Sequence, residues 1–241
     1  MSDAAQTLVP EFPPLLKGVA VLGDQDPFTA AVASSRGGGD PAMVFWSGDA
    51  AALRLAITLA PDRPLAEAMG ALFAVQLGLN DALGALAPPE LPVHFGWPDR
   101  LRVNGAFCGR FRAEAATIDP EAEPDWLVIG VEVPILPLGG LEPGANPNAT
   151  TLSEEGCGDL SSFALIEGWS RHTLLWLHRF MDEGMQPLHE AWRGKCDDIG
   201  KEITWPRRGT FAGLDDKGGM LLQQGGKTEL IPLTDILETT T

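Results

Sequence analysis

Residues Trp97–Arg112 read W-P-D-R-L-R-V-N-G-A-F-C-G-R-F-R. Within them, Asn104-Gly105 is the dipeptide that favours positive φ at both central positions of a type I′ turn. A hairpin closed on that turn pairs Val103 with Ala106, Arg102 with Phe107, Leu101 with Cys108, Arg100 with Gly109 and Asp99 with Arg110. Strand alternation then places Arg100, Arg102, Phe107, Gly109 and Phe111 on one face. Asp99, Leu101, Val103, Ala106, Cys108 and Arg110 take the other. Arg100, Arg102, Arg110 and Arg112 are four of only 17 basic residues in an acidic chain. That concentration makes the hairpin the candidate site.

Upstream, residues 1–17 are Pro-rich and extended, and Gly18–Gly23 (G-V-A-V-L-G) reads as a short buried strand. Asp26 is placed to cap a helix that begins at Pro27 and runs to about Ser35. Ala42–Ser47 and Ala52–Ala60 read as two strands joined across Ser47–Ala51. In the second, Leu53, Leu55, Ile57 and Leu59 alternate with Arg54, Ala56 and Thr58, which implies one core face. Asp62-Arg63-Pro64 opens a long helix over Leu65–Leu86, which Pro88-Pro89 ends. Pro92–Phe95 is a strand leading into the hairpin.

Downstream, the second hairpin strand extends to about Ile118. An acidic turn follows, and Trp126–Pro134 reads as a strand buried at its start. Residues 135–158 form a long loop rich in Gly and Pro, a length often tied to function. Ser161–Gly184 carries Phe163, Ile166, Trp169, Thr173, Trp176, Leu177 and Phe180 as one apolar helical stripe, with Gly184 at the C′ position. A second helix starts at Pro187. Short strands at Gly209–Leu214, Met220–Gln223 and Thr228–Pro232 suggest a small barrel-like module.

The chain has 241 residues, 44% hydrophobic and 21% charged, enough for one good core and a small second module. Its formal net charge of −16 argues against a nucleic-acid partner, whose phosphates need a basic surface. Cys108, Cys157 and Cys196 are odd in number and far apart, as free thiols in a reducing compartment would be. No basic n-region precedes an apolar run, and no uncharged apolar run has the 18 or so residues of a membrane span. The reading is a soluble cytoplasmic protein. His94, His172, His178 and His189 show no metal-ligand spacing.

From about residue 18 to 237 the chain resembles the biotin/lipoate–protein ligase family. Trp97-Pro98-Asp99 with Val103-Asn104-Gly105 is similar to the family's K-W-P-N-D segment and its hairpin. Trp126–Val133 is similar to the G-x-G-I-N strand, and Asn148-Ala149-Thr150-Thr151-Leu152 to the A-T-S-L loop. Gly184, Leu188 and Trp192, continuing to Gly200 and Ile203, match the end of that domain. Gly213-Leu214-Asp215 through Gly218 and Leu221 resembles its SH3-like module. The resemblance implies an α+β fold: a mixed β-sheet domain with helices over residues 18–206, then an SH3-like β-barrel over 207–241.

The resemblance also implies active-site parts that this sequence replaces. The place of the Gly/Arg-rich loop that wraps the acyl-adenylate holds only Ser47–Ala51. The essential lysine belongs at or near Ala106, yet no lysine lies between Lys17 and Lys195. In the K-W-P-N-D segment, Gly96, Asp99 and Arg100 stand for its first Lys, Asn and Asp. Gly23-Asp24-Gln25-Asp26 replaces the D-S-T-N segment of the acyl pocket. Glu132 and Pro134 replace the Gly and Asn of G-x-G-I-N.

Adenylation needs cations and N–H groups around the α-phosphate, so these losses argue against ordinary biotin ligation. Arginine forks could take over anion binding. The candidate ligand-binding residues are therefore Asp24, Gln25, Asp26, Trp97, Asp99, Arg100, Arg102, Arg110, Arg112 and Glu132. Each has a structural alternative. The arginines also read as solvated edge charges, and Asp24–Asp26 as a turn with a helix cap. A carboxylate in an apolar strand must be paired, so Glu132 either meets a hairpin arginine or lines the pocket. Cys108 and Cys157 are small core residues or nucleophiles for acyl-thioester chemistry.

Two functions follow. One is a divergent ligase or acyltransferase acting on biotin, lipoate or a fatty acyl group, with ATP and Mg if ligase activity is retained. The other is a non-catalytic protein that binds the ligand or docks a biotinyl/lipoyl carrier domain.

Overall fold

The computed structural model describes residues 9–137, 146 and 148–238. Its main sheet contains β1 (Lys17–Val21), β2 (Met43–Ser47), β3 (Ala52–Leu59), β4 (Val93–Gly96), β5 (Arg100–Val103), β6 (Ala106–Ala115) and β7 (Leu127–Pro134). The spatial order is β1-β2-β3-β7-β6-β5-β4. Only β1 and β2 run parallel; every other neighbouring pair is antiparallel. The first strand is an edge strand with a mostly exposed side-chain pattern, so the expected burial of Gly18–Gly23 does not hold.

One face of this sheet is covered by α3 (Ala71–Leu86) and α4 (Ser162–Glu183), with α5 (Gln186–Arg193) beside them. Leu53, Leu55, Ile57, Leu101, Val103, Phe111, Ile129, Val131 and Val133 point into that layer, each at most 3% exposed. On the other face α1 (Pro27–Arg36) packs through a small cluster of Val21, Phe28, Ala31, Val32, Phe45, Ala56 and Val128. Ala56 therefore has its own apolar neighbours, and β3 is buried on both sides at its centre. The helix sits over β1, β2, β3 and β7.

The long helix expected over Leu65–Leu86 is two pieces, α2 (Leu65–Ala68) and α3, broken at Met69-Gly70. There Phe180 of α4 packs against the chain, while Leu65 N–H and Ala66 N–H donate to Ala122 and Pro120 carbonyls of the acidic turn. Leu65–Leu86 is long and apolar enough for a membrane span by composition, yet most of it is buried inside the fold. It is a core helix.

The C-terminal module is a four-stranded antiparallel sheet, ordered β11-β10-β9-β8. Its strands are β8 (Glu202–Ile203), β9 (Gly209–Leu214), β10 (Met220–Gln224) and β11 (Lys227–Ile231). Its inner residues Phe211, Met220, Leu222 and Ile231 belong to the same apolar cluster as the helices of the main domain. A short 3-10 turn, Leu233–Ile236, then returns the chain to β6, where Glu238 N–H donates to the Ala113 carbonyl at 2.8 Å. Part of the expected 135–158 loop, residues 138–145 and 147, lies outside the described residues. Asn148–Thr150 pair with the hairpin, Phe107 N–H donating to Asn148 and Thr150 N–H to Phe107, and Ser153–Cys157 form a helical turn.

Candidate functional site

Asn104 and Gly105 both have positive φ, 50° and 84°, so the turn is of the expected primed kind. Val103 pairs with Ala106 and Arg102 with Phe107, but the ladder then slips, so that Leu101 faces Gly109 and Arg100 faces Arg110. Cys108 is the extra residue of a β-bulge. This corrects the expected pairing, in which Asp99 faced Arg110 and Arg110 shared a side with Leu101. A bulge re-aims every residue beyond it. Here it turns Gly109, Phe111 and Ala113 toward the core and brings Arg110 and Arg112 to the same face as Arg100 and Arg102.

On that face a row of charges crosses four strands. Arg54 of β3 sits opposite Glu132 of β7, Glu132 opposite Arg110 of β6, and Arg110 opposite Arg100 of β5. Arg110 Nε donates to Glu132 Oε2 at 2.8 Å, and Arg54 Nε lies 3.8 Å from Glu132 Oε1. Glu132 is thus the anion between two cations, and it also borders a cavity of about 390 Å³ with Asp49, Arg54, Phe107 and Arg110. The pairing with a hairpin arginine is therefore present.

Arg112 is more enclosed. Its Nη1 donates to Asp26 Oδ2 at 2.6 Å, while Nε and Nη2 donate to the two oxygens of Glu238 at 2.7 and 2.8 Å. Its guanidinium carbon lies 4.1 Å from the centre of the Phe28 ring. The Glu238 hydrogen bonds, followed by those of Asp26, hold the guanidinium above its ordinary range despite partial burial. Asp26 also caps α1, accepting from Phe28 N–H and Thr29 N–H. Burial raises its carboxyl, but hydrogen bonds from Arg112 and Thr29 leave it below the usual carboxylate range. Phe28 can lie flat on the sheet because residue 130 is Gly; a Cβ there would come within 2.6 Å of the ring.

The remaining candidates occupy other places. Arg102 Nη1 donates to Asp198 at 2.7 Å. Arg100 stacks 4.5 Å from the Trp205 ring centre, and Trp205 Nε1 donates to Asp99 at 3.2 Å. Burial raises the Asp99 carboxyl, an effect the Trp205 N–H only partly offsets. Trp97 is buried with its Nε1 on the Gly218 carbonyl at 2.8 Å, and Gln76 donates to the Pro98 carbonyl at 2.7 Å. The base of the hairpin is therefore pinned to α3 on one side and to the C-terminal module on the other. Asp24 and Gln25 are exposed in the turn before α1 and border none of the cavities described here.

The four arginines share a face but not a cavity. Arg110 and Arg112 line a cavity of about 410 Å³ at the seam between the two modules, together with Trp97, Asp99, Trp205 and Glu238. Arg100 and Arg102 line a separate space of about 170 Å³ beside Asp198 and Trp205. Arg54, Asp198, Trp205 and Glu238 were not among the sequence candidates. An arginine inside an apolar strand was a readable signal for Arg54; nothing local marks Glu238.

The comparisons with known proteins agree with this architecture. Residues 12–194 match the model of the biotin/lipoate A/B protein ligase family, and residues 200–239 match a domain of unknown function, DUF4444. This chain belongs to the biotin/lipoate A/B protein ligase family. A biotin–[acetyl-CoA-carboxylase] ligase from Paracoccus denitrificans is 27% identical over 173 residues, covering 68% of this chain and 70% of that protein. A biotin protein ligase-like protein of unknown function from Silicibacter sp. TM1040 superposes with TM-score 0.90 at 43% identity, covering 96% of this chain and all of that one. Aquifex aeolicus biotin protein ligase, solved with biotin, shares the fold alone: TM-score 0.70, 15% identity, 90% and 96% coverage.

Within this ligase-family domain, the β2–β3 connection is a four-residue turn. Asp49 N–H bonds to Ser47 Oγ and Ala51 N–H to Asp49 Oδ1, so the turn is tied to itself. Ala106 follows the hairpin turn with a methyl group where the family resemblance implies a lysine. The cysteines are not activated. Cys108 is fully buried and its thiol is pushed up to about 12 by burial and by Glu155. Burial and the same carboxylate also raise Cys157. A nucleophilic thiol needs the opposite shift.

Proposed function

We propose that this family member binds a carboxylate-bearing acyl ligand (biotin, lipoate or a fatty acid) and does not adenylate it by the family's lysine-dependent route. The observation that carries this is the bulged hairpin, which gathers four arginines on the sheet face opposite α3 and α4. Guanidinium forks suit carboxylates and cannot serve as general bases at neutral pH. The short β2–β3 turn and Ala106 support the absence of turnover. ATP and Mg become relevant only if adenylation is retained. A biotinyl or lipoyl carrier domain is the natural macromolecular partner, docking in the second, ligand-free reading. Three unpaired, buried cysteines suit a reducing cytoplasm.

Two assays test the reading. ATP–pyrophosphate exchange with biotin, lipoate and octanoate is expected to stay at background; a turnover signal with any of them overturns the non-adenylating assignment. A thermal-shift panel with the same acids is expected to stabilise the protein, by about 2.7 kcal/mol at 100 times the Kd. A flat panel removes the small-ligand reading and leaves carrier docking.

A further inference from the structure

The seam cavity, about 410 Å³, falls in the size range of small-molecule sites. Its apolar wall includes Trp97, Phe111, Trp205 and Ile236, and Trp205 keeps 45% of its surface exposed. Its polar end is the Arg112 fork, already filled by a carboxylate in bidentate geometry: that of Glu238. This carboxylate comes from the segment after the Leu233–Ile236 turn, and the Glu238 backbone is tied to β6 by its hydrogen bond to Ala113. The Glu238 side chain is 40% exposed, whereas Arg112 is 21% exposed. The cation is built in. The anion is at the rim.

We infer that the seam cavity is the acyl-carboxylate site and that Glu238 holds its place, giving up the Arg112 fork to the carboxylate of an incoming ligand. This rests on the acyl-carboxylate reading above and adds the location and the regulation. The exchange is charge-neutral: one carboxylate leaves the fork, another enters with the same two N–H···O bonds, and Asp26 keeps Nη1. A single carboxylate fits better than a phosphate dianion, because Asp26, Asp99 and Asp235 stand nearby in a chain of net charge −16. The apolar wall suits a hydrocarbon body. As a tethered competitor Glu238 acts at an effective concentration of about millimolar or more, so it lowers the apparent affinity for free carboxylates.

The test uses the full chain, with calorimetric titration of octanoate, biotin and lipoate into wild type, Glu238→Ala and Arg112→Lys. Glu238→Ala is expected to bind at least one acid on the order of tenfold more tightly than wild type, and Arg112→Lys to lose binding. Hydrogen exchange adds a readout in the wild type: the Glu238 amide, bonded to Ala113, is expected to exchange faster when octanoate saturates. Binding in wild type with equal or weaker binding in Glu238→Ala overturns the exchange while leaving the acyl-carboxylate reading intact. Silence of both proteins toward all three acids overturns both.

Discussion

The same strands of the main sheet build two unlike faces. Toward α3 and α4 they present Leu53, Leu55, Leu101, Val103, Phe111, Val131 and Val133, a continuous apolar layer. Toward the other side, residues one position away present Arg54, Glu132, Arg110, Arg112 and Arg102, each engaged with a partner of opposite charge. The first face is fixed by burial, a non-directional term summed over many contacts. The second combines the smaller apolar cluster under α1 with specific pairs in partial contact with water, where each pair contributes little. A fold of this design keeps most of its apolar burial on one side and its row of ion pairs on the other.

The largest expected effect breaks the apolar face. Phe111 is 2% exposed and meets Phe95 edge to face, with ring centres 6.3 Å apart. Phe111→Ala is expected to cost about 3–5 kcal/mol in urea denaturation. A cost near that of a surface substitution would mean that this face is not the one holding the fold.

Asp26→Ala comes next, because it removes the α1 cap and one partner of Arg112. About 1–2 kcal/mol is expected at pH 7. The folded carboxyl lies below its ordinary range, so its contribution is present at neutral pH and fades as pH falls through that lowered value. The gap between wild type and variant should therefore close on acidification. A gap that stays constant into strong acid would show that the Arg112 pair adds nothing beyond the neutral cap.

Asp99 should give the opposite slope and a smaller effect. Burial raises its carboxyl, so the folded state favours the protonated form; that contribution is complete in acid and is lost as pH rises through the raised value. Asp99→Asn keeps an acceptor for Trp205 Nε1 and removes the titration. The variant should gain on wild type as pH rises from acid to neutral. A loss across that interval would mean that the carboxylate, not the carboxyl, is the form the hairpin base needs.

These elements differ in how far the sequence announces them. The Asn104-Gly105 turn, the Asp26 cap and the α4 stripe follow from neighbours within a few residues, and all are present. The bulge at Cys108 has no such local mark. Regular pairing of Cys108 with Leu101 fits the apolar pattern equally well, and only the whole ladder decides that Phe111 takes the core. At the Met69-Gly70 break the chain packs against Phe180, more than a hundred positions away. The Glu238–Arg112 pair spans a separation of 126 residues and joins two modules. In β3 the two faces were legible as an alternation of apolar residues with Arg54, whereas in β6 the bulge reversed the expected faces of Arg110 and Phe111, and which arginine meets which carboxylate was a property of the closed sheet.

The finest distinction between the faces lies in the Arg110–Glu132 pair. Both side chains are substantially exposed, 53% and 37%, although the bond itself is short at 2.8 Å. Water competes for both groups, so a double-mutant cycle with Arg110→Met and Glu132→Gln is expected to give a coupling of about 0.2–1 kcal/mol, weakened by salt. At that strength the proposed ligand carboxylate would displace Glu132 from Arg110 at less cost than a fork-held anion returns. A coupling above about 2 kcal/mol, insensitive to salt, would place the row with buried, cooperative networks. Glu132, standing where the family pattern has a glycine, would then be a lock across β3, β7 and β6, and exchange at this sheet would be confined to the Arg112 fork at the seam.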